Sequence, residues 1–129
     1  MNDPRWISET AVSVIHTLQL AEHGGQDGVR DAGMLESALH RPQNQWRYTQ
    51  ADLPALAAAY AYGIAKNHPF VDGNKRTAGV VCDTFLNFNG LFVDATNDEW
   101  YDAILAIAAG ETTEEAFADW LRQYTKPLA

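Results

Sequence analysis

Cysteine is almost absent from this sequence of 129 residues: Cys82 is the only one, so the chain cannot form an internal disulfide. The sequence also lacks any apolar run that approaches the roughly 20 residues a membrane-spanning helix needs. Its first ten residues contain no apolar core of signal-peptide length. Together these absences predict a cytoplasmic protein that does not associate with membranes.

Basic residues are scarce as well. Nine Lys and Arg stand against 17 Asp and Glu, which gives a net charge of −8 and argues against direct nucleic-acid binding. The cations are unevenly distributed, because the stretch 41–76 holds five of them and only two acids. A local positive island in an acidic protein suits a small anion such as a nucleotide phosphate. Uneven charge is also common on proteins that bind no anion, so charge alone leaves both interpretations open.

Helical periodicity dominates the chain. The first helix is expected to carry an apolar stripe from Ile7 to Leu18 and to end at a glycine pair. A short second helix is expected over 31–41, because Pro42 disfavours helical geometry in the residue before it. The segment 42–50 shows no helical period and is expected to form an extended flap or a small hairpin.

The second half of the chain predicts four further helices. Asp52 can cap the first of them, and the next is expected over 74–89. Two Thr-x-x-Glu capping boxes, at 96–99 and 112–115, open the last two. The expected fold is therefore one all-α domain, spanning residues 1–129, with about six helices and a short flap.

The junction between two of these helices, residues 68–76, contains a histidine, a carboxylate and two adjacent cations. The first N–H groups of a helix that starts near Asn74 have no intrahelical partner, and that end of its dipole is positive. Lys75 and Arg76 are electrostatically misplaced there unless an anion binds. Gly73, which has no Cβ, lets a ligand approach the backbone. Gly73, Asn74, Lys75 and Arg76 are therefore the predicted phosphate-binding residues.

Two neighbouring side chains supply candidate chemistry. Asp72 is the candidate ligand of Mg²⁺, which typically takes one or two carboxylates together with substrate phosphates. His68 is the candidate general base, because a neutral imidazole beside a phosphate can take the proton of an incoming hydroxyl. Each residue also has an ordinary interpretation: a histidine is more often structural, Asp-Gly is a common turn, and Asn74 can simply cap the helix.

Residues 68–76 read HPFVDGNKR and closely resemble the Fic/Doc family motif, H-P-F-x-D/E-G-N-G/K-R, at every specified position. The lysine form, followed by Thr77-Ala78, is similar to the Doc (death-on-curing) branch of the family. The stretches 28–39 and 41–43 are similar to the N-terminal pattern of the same branch. The resemblance covers most of the chain and implies a Fic fold with the motif loop between two central helices.

The resemblance also implies a reaction, the transfer of part of ATP, with Mg²⁺, to a hydroxyl of a target protein. It assigns His68 as the general base, Asp72 as a metal ligand, and Gly73-Asn74 and Arg76 as phosphate-binding residues. In this family a flap that precedes the motif aligns the target chain, and residues 42–51 are the candidate here.

Lys75 bears on which part of the nucleotide is transferred. AMP-transferring relatives usually have glycine at this position, whereas Doc-type proteins with lysine are associated with kinase activity, in which the γ-phosphate faces the hydroxyl. The resemblance therefore implies a toxin kinase that modifies a Ser or Thr hydroxyl of a translation protein of the elongation factor Tu class. AMP transfer and a catalytically silent nucleotide- or partner-binding module are the alternatives.

The sequence contains no sign of self-inhibition. Many Fic proteins silence themselves through a helix that carries S/T-x-x-x-E-G/N, and none of the seven glutamates here precedes Gly or Asn. Inhibition by a separate antitoxin protein is therefore expected. Two other histidines, His16 and His23, are expected to be structural or exposed.

Overall fold

The computed structural model describes residues 3–128, most of which are helical. The elements are α1 (Glu9–His23), α2 (Ala32–Thr49), α3 (Leu53–Asn67), α4 (Asn74–Phe88), β1 (Leu91–Val93), α5 (Asn97–Ala108), α6 (Glu114–Tyr124) and β2 (Thr125–Pro127). The predicted all-α fold of about six helices is confirmed. Within the described range, no helix combines the length and the apolar character that crossing a membrane requires.

Helix α3 lies at the centre and packs against α2, α4, α5 and α6. As predicted, Asp52 caps its N-terminus by accepting a hydrogen bond from the Ala55 N–H, and Pro54 occupies its first turn. Small residues let the neighbouring helices approach closely: a Cβ at Gly63 would lie 3.0 Å from the Ala38 Cβ of α2. This close packing fixes one end of the loop that follows α3.

Helix α4 is the second central helix and packs along α3. The helix predicted over 74–89 is confirmed, and its buried apolar residues are Ala78, Val81, Cys82, Phe85 and Leu86. Burial raises the pKa of the Cys82 thiol well above its ordinary value, so this cysteine packs as a small apolar side chain. The loop 68–73, which joins α3 to α4, is thus held between two buried helices.

The end of the second helix was predicted wrongly, and so was the flap over 42–50. Helix α2 continues through Pro42 to Thr49. Pro42 is itself buried, Trp46 packs against the core, and Glu114 of α6 accepts hydrogen bonds from two α2 side chains. These tertiary contacts offset the hydrogen bond that a proline removes from a helix. A local reading of the proline could not reveal partners more than 60 residues away along the chain.

The short extended element of the fold lies elsewhere. Strands β1 and β2 pair in antiparallel register, with Leu91 opposite Pro127 and Val93 opposite Thr125. This pair is the one two-stranded sheet among residues 3–128, and it includes no residue of the predicted flap at 42–51.

One of the two predicted capping boxes is confirmed. The Thr96 hydroxyl accepts from the Glu99 N–H while the Glu99 carboxylate accepts from the Thr96 N–H. The box predicted at 112–115 is wrong, because the cap of α6 is Thr113, whose hydroxyl accepts from the Ala116 N–H. Adjacent threonines gave the sequence two possible registers, and the structure uses the second.

The predicted stripe of α1 is partly wrong. Helix α1 ends at the glycine pair as expected, but Val14 and Leu18 are 54% and 59% exposed. The buried residues of this helix are Val12 and His16. Apolar residues occupy more than one face of α1, so their spacing did not define which face packs on α4.

Candidate active site

His68 caps the C-terminus of α3 in the left-handed conformation, with φ 50° and ψ 58°. Its N–H donates to the Ile64 carbonyl at 3.2 Å. The Arg30 guanidinium donates to the carbonyls of His68, at 2.6 Å, and Asn67, at 2.7 Å, and so satisfies acceptors that the helix end leaves free. The His68 backbone is therefore fixed while its side chain stays exposed.

The rest of the loop is paired to the segment before α2. The Arg30 N–H donates to the Pro69 carbonyl at 2.7 Å, and the Val71 N–H donates to the Gly28 carbonyl at 3.0 Å. Val29 and Phe70 form an isolated antiparallel bridge between these bonds. The stretch that the sequence marked only by family similarity thus holds the loop in place.

Asn74 and Phe70 close the loop from within. Phe70 is 1% exposed and anchors the loop in the core. The Asn74 side chain is buried, accepts from the Phe70 N–H and donates to the Phe70 carbonyl, both at 3.0 Å. Asn74 is therefore not the helix cap: Gly73 is the N-cap residue of α4, and its φ of 76° is one that glycine adopts readily.

His16 of α1 contacts the buried side of the loop, although the sequence predicted only a structural or exposed residue. It is 3% exposed, and its ring stacks on Phe70 with centroids 3.8 Å apart. Its Nε2 lies 2.8 Å from the Asp72 carbonyl oxygen. Because a carbonyl only accepts hydrogen bonds, Nε2 is the protonated nitrogen in this contact. His16 thus fixes the peptide between Asp72 and Gly73.

The Asp72 carboxylate is exposed and held by backbone donors. Its oxygens accept from the Gly73 N–H at 2.8 Å and from the Gln26 N–H at 3.2 Å. These two bonds, and then the charge of Arg76, hold the pKa of the carboxyl below its usual value. Gly25 makes room for this arrangement, because a Cβ there would lie 2.9 Å from Asp72 Oδ2.

All six residues named from the sequence line one hollow of about 270 Å³. They are His68, Asp72, Gly73, Asn74, Lys75 and Arg76, and Val71 and Tyr101 complete the lining. Helix α4 has no side-chain cap, and no carboxylate among residues 3–128 forms an ion pair with either exposed cation of its first turn. The residues of 42–51 do not line this hollow. The arrangement concentrates unpaired positive charge and N–H donors beside an imidazole.

Comparisons with known proteins show the family of this chain. The family model described as Fic/DOC family matches residues 6–86. The protein named Protein kinase doc, from Escherichia phage P1, is 33% identical over 120 residues, which cover 92% of this chain and 94% of the phage protein. Toxin Doc of Mycolicibacterium smegmatis (strain ATCC 700084 / mc(2)155) is 45% identical over 78 residues, 58% of this chain and 59% of that toxin. The chain belongs to the Fic/Doc family. Both relatives place it in the Doc branch.

The Fic/Doc motif loop does not have the side chains of a closed metal cage. No three His, Cys, Asp or Glu side chains of the described range cluster around a common point. The loop offers one ionised, exposed carboxylate, Asp72, in the hollow that Lys75 and Arg76 also line. Mg²⁺ bound through one or two carboxylates and the oxygens of a nucleotide is compatible with this set.

Three residues outside the Fic/Doc motif also shape the site, and sequence reasoning missed them. His16 and Arg30 fix the loop, and Tyr101 of α5 lines its hollow. His16 and Arg30 precede the first motif residue, His68, by 52 and 38 residues, and Tyr101 follows the last, Arg76, by 25. Among the three, only His16 had a local signal: it lies four residues after the buried Val12, on the same face of α1.

Proposed function

We propose that this protein is a Doc-type toxin that transfers the γ-phosphate of ATP to a Ser or Thr hydroxyl of a protein of the translation machinery, of the elongation factor Tu class. The observation that carries the proposal is the shared hollow: an exposed imidazole on a fixed backbone faces the uncapped first turn of α4. The relative from phage P1 bears the name of a protein kinase, and the mycobacterial relative that of a toxin.

His68 acts as the general base in this proposal. In its neutral form the ring accepts the proton of the target hydroxyl as the oxygen attacks the γ-phosphorus. A bond forms between the hydroxyl oxygen and phosphorus, the bond from phosphorus to the β–γ bridging oxygen breaks, and ADP leaves. The left-handed backbone of His68 and the hydrogen bond from Arg30 to the His68 carbonyl keep the ring beside the hollow.

The first turn of α4 binds the phosphates. Arg76 can pair with phosphate oxygens in a two-pronged fork, Lys75 adds a mobile charge, and the backbone N–H groups of Gly73 to Arg76 supply further donors. The Asn74 side chain is bonded to Phe70, so its contribution is through its backbone. Asp72 would hold Mg²⁺, which neutralises charge that develops on the transferred group.

Lys75 favours γ-phosphate transfer over AMP transfer. Its side chain is exposed and lines the hollow, so it adds bulk and charge where a glycine would let phosphate approach the backbone. AMP transfer to a protein hydroxyl would use the same base and the same phosphate-binding residues. Labelled ATP distinguishes AMP transfer from γ-phosphate transfer.

The deciding experiment measures which phosphate of labelled ATP is transferred to a protein. The purified protein is incubated with Mg²⁺, a bacterial lysate and ATP labelled at the α- or the γ-phosphate. We expect the γ label alone to reach a protein band, and His68→Ala to abolish the transfer. His40→Ala is the matched control, because His40 is an exposed histidine of α2 whose partner is Glu36 rather than the loop.

Each other outcome has a defined meaning. Transfer of the α label would establish AMP transfer and refute the kinase assignment. Transfer that persists in His68→Ala would refute the general base. Nucleotide binding without transfer of either label, with purified elongation factor Tu added, would leave a catalytically silent binding module.

A separate antitoxin is the proposed regulator of this cytoplasmic toxin. The chain contains none of the self-inhibitory glutamate motifs of the family, and the hollow is open in the structure described for residues 3–128. A partner that covers the first turn of α4 would exclude the nucleotide. No role in direct nucleic-acid binding is proposed, because the net charge of the chain is −8.

A further inference from the structure

A groove of about 590 Å³ lies between the motif loop and the C-terminal end of α5. His68 and Lys75 line it on one side, and Leu105, Ala106 and Ala109 line it on the other. We call this space the α5 groove. It is larger than the hollow of about 270 Å³ beside the motif loop, and its lining on the side of α5 contains no residue of the motif.

The α5 groove and the hollow beside the motif loop share a wall, because His68 and Lys75 line both. In the proposed reaction the polyphosphate occupies the hollow, so the acceptor hydroxyl has to reach His68 through space that the nucleotide leaves free. The α5 groove offers such space, since its lining includes His68 but neither Asp72 nor Arg76.

The segment 42–51, which the family resemblance assigned to alignment of the target chain, lies elsewhere. It lines neither the α5 groove nor the hollow beside the motif loop. Asn44, Gln45, Tyr48 and Thr49 line a different hollow, of about 470 Å³, whose lining does not include His68. Because a general base must lie within hydrogen-bond reach of the hydroxyl, the groove that contains His68 is favoured as the place of the acceptor segment.

Two carboxylates give the α5 groove its charge. Asp102 and Glu111 line it, both are exposed, and neither forms an ion pair in the part of the chain from 3 to 128. Lys66 of α3 approaches the adjacent turn at Gly110 but does not line the groove. Once a polyphosphate neutralises Lys75, the charged side chains that face the groove beside His68 are acidic.

The α5 side of the groove is formed before a substrate binds. The Ala106 carbonyl accepts from the Glu111 N–H at 2.9 Å and from the Thr112 N–H at 3.3 Å, which fixes the turn that carries Glu111. Ala106, Ala108 and Ala109 present only methyl groups between the two acids. Small side chains in this position leave room for the backbone of another chain.

We infer that the α5 groove binds the segment of the protein substrate that carries the acceptor hydroxyl, and that it selects a segment with a Lys or Arg close to the Ser or Thr. The alanines accommodate the backbone of the segment, and Asp102 and Glu111 attract its basic side chain. The inference rests on the proposed function, since it takes His68 as the base and the neighbouring hollow as the phosphate site.

The test measures transfer of the γ label from ATP to purified elongation factor Tu by the full chain, at saturating Mg-ATP. The double variant Asp102→Lys/Glu111→Lys should raise KM for elongation factor Tu about fivefold or more and change kcat less than about twofold, because it removes binding rather than chemistry. Its affinity for Mg-ATP, measured by calorimetry without a protein substrate, should not fall.

The matched control is Asp98→Lys/Glu115→Lys, which changes the net charge of the chain by the same amount. Asp98 and Glu115 are exposed and do not line the α5 groove. This control should retain the wild-type KM. An equal rise of KM in the two double variants would overturn the role of the groove acids.

Ala109→Trp tests the groove independently of charge. Ala109 is exposed at the end of α5, so an indole there can fill the groove without entering the core. It should abolish most transfer to elongation factor Tu and leave Mg-ATP binding intact. An unchanged KM in both Ala109→Trp and Asp102→Lys/Glu111→Lys would overturn the inference. No transfer of the γ label by the wild-type protein would instead refute the proposed function, on which the inference rests.

Discussion

At the residue scale, two histidines have opposite environments: His68 begins the motif loop, and His16 of α1 packs against it. The ring of His68 is exposed at the hollow, while its backbone is bonded to Ile64 and Arg30. The ring of His16 is buried against Phe70, and its Nε2 donates to the Asp72 carbonyl. The first is the general base of the proposed reaction, whereas the second positions the turn that carries Asp72.

Substitution of His16 tests that positioning role. His16→Phe keeps an aromatic ring on Phe70 but removes the donor to Asp72, which leaves a carbonyl unpaired at a cost of about 1–3 kcal/mol. His16→Gln restores an N–H donor at a similar reach. We expect the Phe variant to bind Mg-ATP about tenfold more weakly, with the Gln variant recovering part of the loss. Calorimetry of Mg-ATP binding gives the measurement.

The two His16 variants distinguish positioning from packing. If the hydrogen bond matters, the Gln variant binds Mg-ATP better than the Phe variant even where its thermal stability is lower. Equal Mg-ATP affinity in the wild-type protein and His16→Phe would show that the contact with Asp72 has no part in the site.

At the element scale, Asp52 joins two helices. It caps α3 through the Ala55 N–H and pairs with Arg122 of α6, with N–O distances of 2.8 and 3.0 Å. The Arg122 hydrogen bond is the main cause that holds the pKa of Asp52 below its ordinary value of 3.8. The stabilisation from ionised Asp52 is therefore complete above that ordinary value and is lost as pH falls through the lower pKa of the folded state.

Asp52→Ala should lower the free energy of unfolding by about 1–2 kcal/mol at pH 7, because it removes a helix cap and one partner of a charged fork. The difference from the wild-type protein should shrink as the pH falls below 3.8. Urea unfolding at neutral pH and at about pH 3 measures both effects.

Asp119→Ala is the matched control for this pair. Asp119 also bonds Arg122, but it is 69% exposed and caps no helix, so its loss should cost less than about 0.5 kcal/mol. A loss as large as that of Asp52→Ala, or no pH dependence in the Asp52 difference, would contradict the assigned role.

At the scale of the whole molecule, an acidic protein contains a hollow lined by two exposed cations. The net charge is −8, yet Lys75 and Arg76 form no ion pair among residues 3–128. Folding places these cations at the N-terminus of α4, where the positive end of the helix dipole repels them. A bound polyphosphate would remove that repulsion and so stabilise the entire fold.

A non-hydrolysable ATP analogue with Mg²⁺ should therefore raise the melting temperature. At a ligand concentration of about 100 times Kd, binding adds about 2.7 kcal/mol, which corresponds to several degrees for a domain of this size. Arg76→Ala should reduce the shift at the same concentration by weakening the phosphate contacts. Differential scanning calorimetry provides the measurement.

Arg47→Ala is the control, because Arg47 is an exposed cation of α2 that does not line the hollow beside the motif loop. It should show the wild-type shift. An equal shift in Arg76→Ala and the wild-type protein would remove Arg76 from the phosphate site, and no shift at any concentration would refute nucleotide binding.

The amino-acid sequence by itself determined the helices that have strong local signals, and which polar and charged residues occupy the loop between two of them. Caps such as Asp52 and Thr96, the glycine stop after α1 and the buried pattern of α4 depend on neighbours within one or two turns. The residues of 68–76 are contiguous, so their order was visible before any folding was considered.

Only the tertiary structure decided what depends on distant partners. Helix α2 passes through Pro42 because contacts with α6 and the core offset the local effect of proline. His16 reaches the motif loop from 56 residues away, and Tyr101 approaches it from α5. A mainly apolar hollow of about 210 Å³ lies where α1, α4 and α5 meet. Such contacts have no local signal, because their energy is a property of packed surfaces rather than of adjacent residues.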